Sequence, residues 1–147
     1  MNKNVIIIIV AIVALCCCGG GAAVFFISKK AVDAVGVITK EAEPFAEKSI
    51  KDISENWDPT VFRKVAVTDI SDAAIQDFCQ KLQPLGKCSS VTLTQSGIDA
   101  KNNNGDTLVT ISYTGSGQFE NGTAKIECTV VKHNETWQVK VLDIKQN

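Results

Sequence analysis

One uninterrupted apolar segment constrains this chain more than any other feature of its sequence. Residues 5–27 form a run of 23 residues without a charged side chain, between Lys3 on one side and Lys29 and Lys30 on the other. With a rise of about 1.5 Å per residue, a helix of this length reaches about 35 Å and crosses a hydrocarbon core of about 30 Å. The run predicts a signal anchor in residues 1–28 and a single-pass membrane protein.

The same segment has a second interpretation, as the signal of a lipoprotein. Cleavage before Cys18 would place that cysteine at the new amino terminus, where it would be acylated. Cys17 would then occupy a position that normally holds a small residue, and the sequence stays apolar through Ile27 instead of turning polar. We therefore prefer the anchor and keep a lipoprotein acylated at Cys18 as the alternative.

The side of the membrane is set less firmly than the anchor itself. Lys3 and the amino terminus balance Lys29 and Lys30, so the positive-inside rule gives no clear orientation. The very short amino-terminal tail is typical of an uncleaved export signal, which predicts an extracytoplasmic domain, either periplasmic or at the cell surface. In an oxidising compartment Cys79 and Cys88 could form a disulfide; a buried thiol on a helix explains Cys79 equally well.

The charge balance argues against nucleic acid as a partner. The formal net charge is −1 at pH 7, and no stretch of the chain is strongly basic. Proteins that bind nucleic acid need a basic face to neutralise phosphates, so the sequence predicts no nucleic-acid partner. About 120 residues follow the anchor, which is the size of one ordinary domain with one core.

The first half of this domain carries helical spacing of its apolar residues. Residues 29–43 are predicted to form a helical juxtamembrane linker, and Pro44 is expected to interrupt it and to open a new helix. Asp58 and Ser71 are expected to cap two shorter helices, since their side chains accept hydrogen bonds from the first free amides of a helix. Gly86 is expected to end the last of these helices in a left-handed conformation.

From Ser89 onwards the apolar period changes to about 2, which is typical of strands. Asn121-Gly122 is the strongest hairpin signal of the chain, and a turn at these two residues pairs Tyr113 with Val130. A second tight turn at residues 134–135 pairs Val130 with Val139. Inward residues then face inward residues across both turns, as a meander with one buried face requires.

The order of these elements predicts an α+β domain over residues 44–147. Its helices come first and pack on a curved, four-stranded antiparallel meander. Gly115 and Gly117 alternate on the inward face of the second strand, where glycine lets a strand bend or lets another segment approach closely. Continued alternation along the last strand places Val141 and Asp143 on the same inward face.

Three segments carry a resemblance to a known architecture. They are Leu85-Gly86-Lys87 before the first strand, residues 119–124 at the hairpin and residues 135–139 at the start of the last strand. With the long helix and two short helices, they resemble the cystatin-like or nuclear-transport-factor-2-like cone fold, in particular membrane-anchored bacterial envelope domains of unknown function. The resemblance covers residues 44–147 and implies a fold and a pocket, but no activity, because this architecture hosts enzymes, binding proteins and scaffolds.

A pocket of this type would lie between the helices and the sheet, where large aromatic residues are expected. Its candidate lining residues are Trp57, Phe62, Tyr113, Val130 and Trp137, for each of which core packing is the alternative. We therefore predict a non-enzymatic binding or interaction domain that holds a partner protein or a small apolar ligand near the membrane.

An isomerase- or hydratase-type enzyme is the second hypothesis. Tyr113 and Asp143 are the only candidates for acid–base chemistry in the predicted interior, and we assign no catalytic residue. The chain has a single histidine, His133, without a cluster of further ligands around it in sequence, so no metal and no cofactor are predicted.

A structural role through dimerisation is the third hypothesis. Val131, Leu142 and Ile144 are predicted to lie on the outer face of the last two strands, among charged and polar residues. Contiguous apolar patches are seldom left bare, so this surface is a candidate for a sheet-mediated homodimer or for another partner.

Overall fold

The computed structural model of the protein describes residues 29–103, 106–133 and 135–146. The predicted anchor at residues 5–27 and the alternative acylation site Cys18 lie outside the described residues. Among the residues that are described, no helix is long and apolar enough to cross a membrane.

The domain is α+β, with helices packed on one four-stranded antiparallel sheet, as predicted. The strands follow one another in the order β1-β2-β3-β4, so each pairs with its neighbour in sequence. We call the face of the sheet that packs against the helices the inner face. The elements are α1 (Lys29–Asn56), α2 (Pro59–Val65), α3 (Asp72–Leu82), a 3₁₀ turn (Gln83–Leu85), β1 (Cys88–Asn103), β2 (Asp106–Phe119), β3 (Gly122–His133) and β4 (Thr136–Gln146).

The prediction that Pro44 interrupts the first helix is wrong, because α1 runs through it. Lys40 and Pro44 are both exposed, so the Lys40 carbonyl, which loses its helical partner, can bond to water. Ala42 and Ala46, on either side of the proline, are fully buried, and Ile38 is buried in the same core. Packing of this apolar stripe keeps the helix continuous, and the packed domain therefore starts before Pro44.

The two shorter helices begin where their caps were predicted. Asp58 accepts a hydrogen bond from the amide of Thr60 at 2.8 Å, and Ser71 accepts one from the amide of Ala74 at 3.2 Å. Gly86 has the positive φ expected for it, 74°, but its ψ of −167° lies outside the left-handed helical region, and the 3₁₀ turn separates it from α3. Glycine adopts this conformation without the steric penalty of a Cβ.

The first hairpin turns one residue earlier than predicted. Phe119 pairs with Gly122, so the turn consists of Glu120 and Asn121, and Tyr113 pairs with Cys128 instead of Val130. Contacts outside the hairpin explain the shift. The Asn121 side chain donates to the Pro84 carbonyl at 2.9 Å, and the Glu120 carboxylate accepts from the Lys87 amide at 3.2 Å. Because the register moved by an even number of residues, every side chain kept its predicted face.

The last strand departs from simple alternation. Val130 pairs with Val139 as predicted, but Thr129 pairs with Val141, so Lys140 is the extra residue of a bulge in β4. An extra residue exchanges the two faces for everything that follows it. Leu142 accordingly packs against the core and Val141 is 47% exposed, the reverse of the predicted arrangement.

Candidate functional site

The five predicted pocket residues do not line one pocket, because they fall into separate groups. Trp57 and Phe62 belong to an aromatic cluster at the carboxyl end of α1. Trp57 stacks on Phe119 with ring centroids 6.1 Å apart, and Phe62 meets Phe78 at 5.3 Å. The Trp57 indole N–H donates to the Gly86 carbonyl at 3.0 Å, so its polar atom is satisfied. These two residues are core residues.

Trp137 forms a second group with the middle of α1. Its ring stacks on Phe45 at 6.4 Å, and the Lys132 ammonium lies 5.5 Å from its centroid. Lys132 also donates to Glu41 at 2.7 Å, which lowers the pKa of that carboxyl group. The Trp137 N–H lies close enough to Glu41 to contribute to this shift, but it makes no hydrogen bond of ordinary geometry. We conclude that Trp137 joins α1 to β3 and β4.

The third group, in the middle of the inner face, consists of Val130, which is fully buried opposite Ile111, and Tyr113. Tyr113 is only 2% exposed, and its hydroxyl group finds no hydrogen-bond partner among the described residues. Burial raises the pKa of Tyr113 to about 12, with smaller contributions from the charge of the nearby Glu43 carboxylate and from Cys128. Buried hydroxyl groups in folded proteins are nearly always hydrogen-bonded, so this one is unusual.

The two unpaired donors, on Tyr113 and Trp137, lie on opposite flanks of α1. Glu41 approaches Trp137, and Glu43 lies near Tyr113. Side chains two residues apart leave a helix in directions about 200° apart. The Trp137 group therefore lies on the flank of α1 facing β4, and Tyr113 on the flank facing β1. They cannot contact one small ligand together.

The strand next to Tyr113 changes from buried to exposed at Gln95. Gln95 of β1 is the cross-strand partner of Tyr113 and shares its face with Leu93, which is buried, yet Gln95 itself is exposed. A bulge between Gln95 and Gly97 lies at the same point of β1. Bulges re-aim side chains and are common beside functional sites. Gln95 is thus an exposed polar side chain directly across from the buried Tyr113.

Sequence reasoning found Tyr113 but missed both Gln95 and Glu43. Glu43 immediately precedes Pro44, at which a helix break was predicted, so no helical face could be assigned to it. Gln95 continues the alternation of Val91 and Leu93, and that signal could have placed it on the inner face. The exposure of Gln95, in contrast, depends on tertiary packing, which the alternation of residues along one strand does not indicate.

The predicted partner surface is not exposed in this structure. Val131 is 4% exposed on the outer face, between Thr110 and Gln138 on the neighbouring strands. The bulge at Lys140 turns Leu142 and Ile144 towards the core, where Ile144 is 6% exposed. The prediction that these three residues form an exposed apolar patch is therefore wrong.

The same bulge moves Asp143 away from Tyr113. Asp143 pairs with Glu127 on the outer face and forms an ion pair with Lys145 at 2.7 Å. The two residues of the isomerase hypothesis are thus on opposite faces of the sheet. Within the described residues, no three His, Cys, Asp or Glu side chains form a group that could hold a metal ion.

The cysteines of the domain are free thiols in this structure. Cys79 and Cys88 are both buried and do not form the disulfide considered from the sequence. Cys88 instead lies with its sulfur 3.3 Å from the Ser90 carbonyl, and its amide donates to Ser54 at 3.2 Å. Burial raises the pKa of all three thiols, Cys128 reaching about 12, so none is activated as a nucleophile.

Comparison with known proteins gives little information about the family or the function of this chain. No protein-family model matches the chain, and no curated protein is significantly similar to it. One similar solved structure is a protein named Rd1NTF2_05 with five substitutions, 16% identical, with a TM-score of 0.41. The match covers 73% of this chain and 98% of that one. A TM-score this low carries no argument, and the α+β assignment rests on the elements described above.

Proposed function

We propose that this chain is a membrane-anchored, non-enzymatic binding domain of the nuclear-transport-factor-2-like cone type, extracytoplasmic and carried by its amino-terminal anchor. It receives a small, largely apolar ligand between α1 and the inner face of β1 and β2. The observation that carries the proposal is the buried, unpaired hydroxyl group of Tyr113. Leaving such a group without a partner costs about 1–3 kcal/mol, and a ligand that offers an acceptor recovers this cost.

The surroundings of Tyr113 favour binding over catalysis. The neighbouring inner-face residues Ile111, Val130 and Leu93 are buried and apolar, so they suit an apolar ligand body. A tyrosine with a pKa of about 12 remains protonated at neutral pH and donates a hydrogen bond without transferring its proton. Asp143, the carboxylate that the enzyme hypothesis needed, lies on the outer face.

Replacing Tyr113 by Phe tests the proposal, because it removes the hydroxyl oxygen and leaves the ring. The full-length chain and Tyr113→Phe are purified in lipid nanodiscs, and both are extracted and analysed by mass spectrometry against empty nanodiscs. We expect a small molecule that accompanies the wild-type chain and is reduced about five- to tenfold in Tyr113→Phe, which corresponds to one hydrogen bond.

The same variant has an opposite effect on the ligand-free protein. Tyr113→Phe removes an unsatisfied buried group, so the free energy of unfolding of the stripped protein rises by about 1 kcal/mol. A stability that falls instead would mean that the hydroxyl group already has a partner, and the proposal would lose its basis. A wild-type chain that carries nothing beyond the empty-nanodisc background would also contradict it.

A further inference from the structure

Charged residues on the outer face of β3 and β4 are arranged in two bands that run across the strands. Lys125 of β3 lies directly opposite Lys145 of β4, and Glu127 of β3 lies directly opposite Asp143 of β4. Lys125, Glu127 and Lys145 are exposed, and Asp143 is partly exposed. We call the two lysines the basic band and the two carboxylates the acidic band. The bands lie side by side, because their members are two residues apart on each strand.

This arrangement is unfavourable for a single copy of the domain. Like charges directly opposite each other on neighbouring strands are destabilising, whereas opposite charges in the same positions are stabilising. Lys145 forms an ion pair with Asp143 at 2.7 Å along its own strand, but Lys125 and Glu127 form none within the described residues. The bands therefore favour a partner that brings a negative charge to one row and a positive charge to the other.

We propose that the two bands bind a second copy of this chain, with the outer faces of the two sheets against each other. A two-fold axis that runs across the strands, midway between the bands, places the basic band of each copy over the acidic band of the other. Lys125 then faces Glu127 of the second copy, and Lys145 faces Asp143. In such a contact every pair of residues occurs twice. The surface is thus complementary in charge to itself.

The residues that continue the two rows on β2 and β1 leave room for a second sheet. They are exposed and carry short hydroxyl side chains: Ser116 and Thr92 beside the basic band, Thr114 and Thr94 beside the acidic band. Packed sheets lie about 10 Å apart, and a lysine and a carboxylate that extend from opposite sides bridge this gap together. No long side chain of β1 or β2 in these rows holds the second copy away.

Val141 adds an apolar contact beside the acidic band. It lies on the outer face two residues before Asp143, and it is the one large hydrophobic residue that is exposed in the described part of the chain, at 47%. The contact proposed here differs from the apolar patch expected from the sequence. Val131, Leu142 and Ile144, which made up that patch, are buried or packed against the core.

Charge reversal on β3 tests the contact between the copies. Donor- and acceptor-labelled full-length chains are mixed in lipid vesicles, and energy transfer gives the dissociation constant of the dimer as the protein is diluted with lipid. We expect Lys125→Glu and Glu127→Lys each to raise this constant at least about tenfold, because each brings like charges together twice in the dimer. The double variant Lys125→Glu/Glu127→Lys reverses both partners and should return to within about threefold of the wild-type value.

Lys48 provides a matched control on α1. Its side chain is exposed and pairs with Asp52 on the same helix, away from the outer face of the sheet. Lys48→Glu changes the net charge of the chain by the same amount as Lys125→Glu. We expect it to change the dissociation constant by less than about twofold.

Several results would overturn the inference, and none of them concerns ligand binding at Tyr113. A wild-type chain that is monomeric at every dilution binds no second copy. A dimer that is insensitive to Lys125→Glu and Glu127→Lys is held by the anchor or by the free edge of β4, not by the bands. A double variant as weak as the single variants means that these two residues do not face each other. An equal effect of Lys48→Glu would reduce the contact to a general effect of charge.

Discussion

Gly115 sets the distance between β1 and β2. A Cβ at this position would lie 2.0 Å from the Thr92 carbonyl oxygen and 3.1 Å from the Leu93 Cα atom. Both are backbone atoms of the paired strand, so no side chain can rotate away and the strands must part. We expect Gly115→Ala to lower the free energy of unfolding by about 2–3 kcal/mol in chemical denaturation, because overpacking of a closed structure costs about this much.

Gly97 on β1 is the control for this substitution. A Cβ there would have one neighbour, the Ser112 Cβ, at an ordinary contact distance of 3.9 Å. Gly97→Ala should therefore change the stability by no more than about 0.5–1 kcal/mol, and towards higher stability, since alanine has less backbone freedom to lose. Equal losses for Gly115→Ala and Gly97→Ala would show that close approach of the strands is not the cause.

Cys128 makes the stability of the domain depend on alkaline pH. Burial raises its pKa from 9.0 to about 12. The unfolded chain therefore loses this proton near pH 9, while the folded chain keeps it to about pH 12. Stabilisation is complete below pH 9 and is lost as the pH rises towards 12, at about 1.4 kcal/mol per unit of pKa difference.

The variant Cys128→Ala isolates this contribution, because the buried thiols Cys79 and Cys88 remain in both proteins and cancel. Between pH 9 and pH 11 we expect the wild-type free energy of unfolding to fall by about 2–3 kcal/mol more than that of Cys128→Ala. Urea titrations at the two pH values measure the difference. Parallel losses in the two proteins would place the thiol in contact with solvent or with a charged partner.

At the scale of the elements, the sequence predicted well on which face of the sheet the residues of β2 lie. It did not predict the position in β4 at which a bulge reverses the alternation of faces. The alternation of Tyr113, Gly115 and Gly117 placed β2 correctly, because one buried face repeats every second residue. The residue type of Lys140 does not indicate a bulge. A single inserted residue then exchanged the faces of Val141 and Leu142, and with them the predicted interface and the Asp143 candidate.

Pro44 is the other point at which an element differs from its prediction, and the difference can be tested directly. The proline removes an amide donor inside α1 and crowds the carbonyl of the residue four positions earlier. If the helix is continuous, as in the structure, Pro44→Ala restores one hydrogen bond and should raise the free energy of unfolding by about 1–3 kcal/mol. The measurement is thermal and urea unfolding followed by circular dichroism.

The exposed position Lys48, one turn further along α1, provides the comparison. Lys48→Ala changes a residue that only pairs with Asp52 at the surface, so its effect should stay within about 0.5 kcal/mol. A neutral or destabilising Pro44→Ala would mean that the helix is interrupted at this point after all.

At the scale of the whole molecule, the class of fold was accessible from the sequence and the site was not. Caps at Asp58 and Ser71 and the alternation of the strands are local signals, and they define helices followed by a meander. The candidate site consists of the buried, unpaired hydroxyl group of Tyr113 and the exposed Gln95 beside it. Both follow from the packing of distant elements, which local periodicity does not specify.

The extent of the packed domain is a prediction about the molecule as a whole. Ile38 and Ala42 precede Pro44 and are buried in the core, and Glu41 pairs with Lys132 across to β3. A fragment of residues 44–147 would lack these contacts and would expose the apolar surface they cover. We expect it to be less stable than a fragment of residues 29–147 by about 3 kcal/mol, mainly through the lost burial of one isoleucine and one alanine.

The variant Ile38→Ala in the longer fragment separates burial from a general effect of truncation. Deleting this buried side chain without shortening the chain should cost about 2 kcal/mol or more, so that it accounts for most of the loss in the fragment of residues 44–147. The surface pair between Glu41 and Lys132 contributes little, because exposed ion pairs are worth less than about 1 kcal/mol. If the two fragments are equally stable, the packed domain begins at Pro44 and residues 29–43 are a linker.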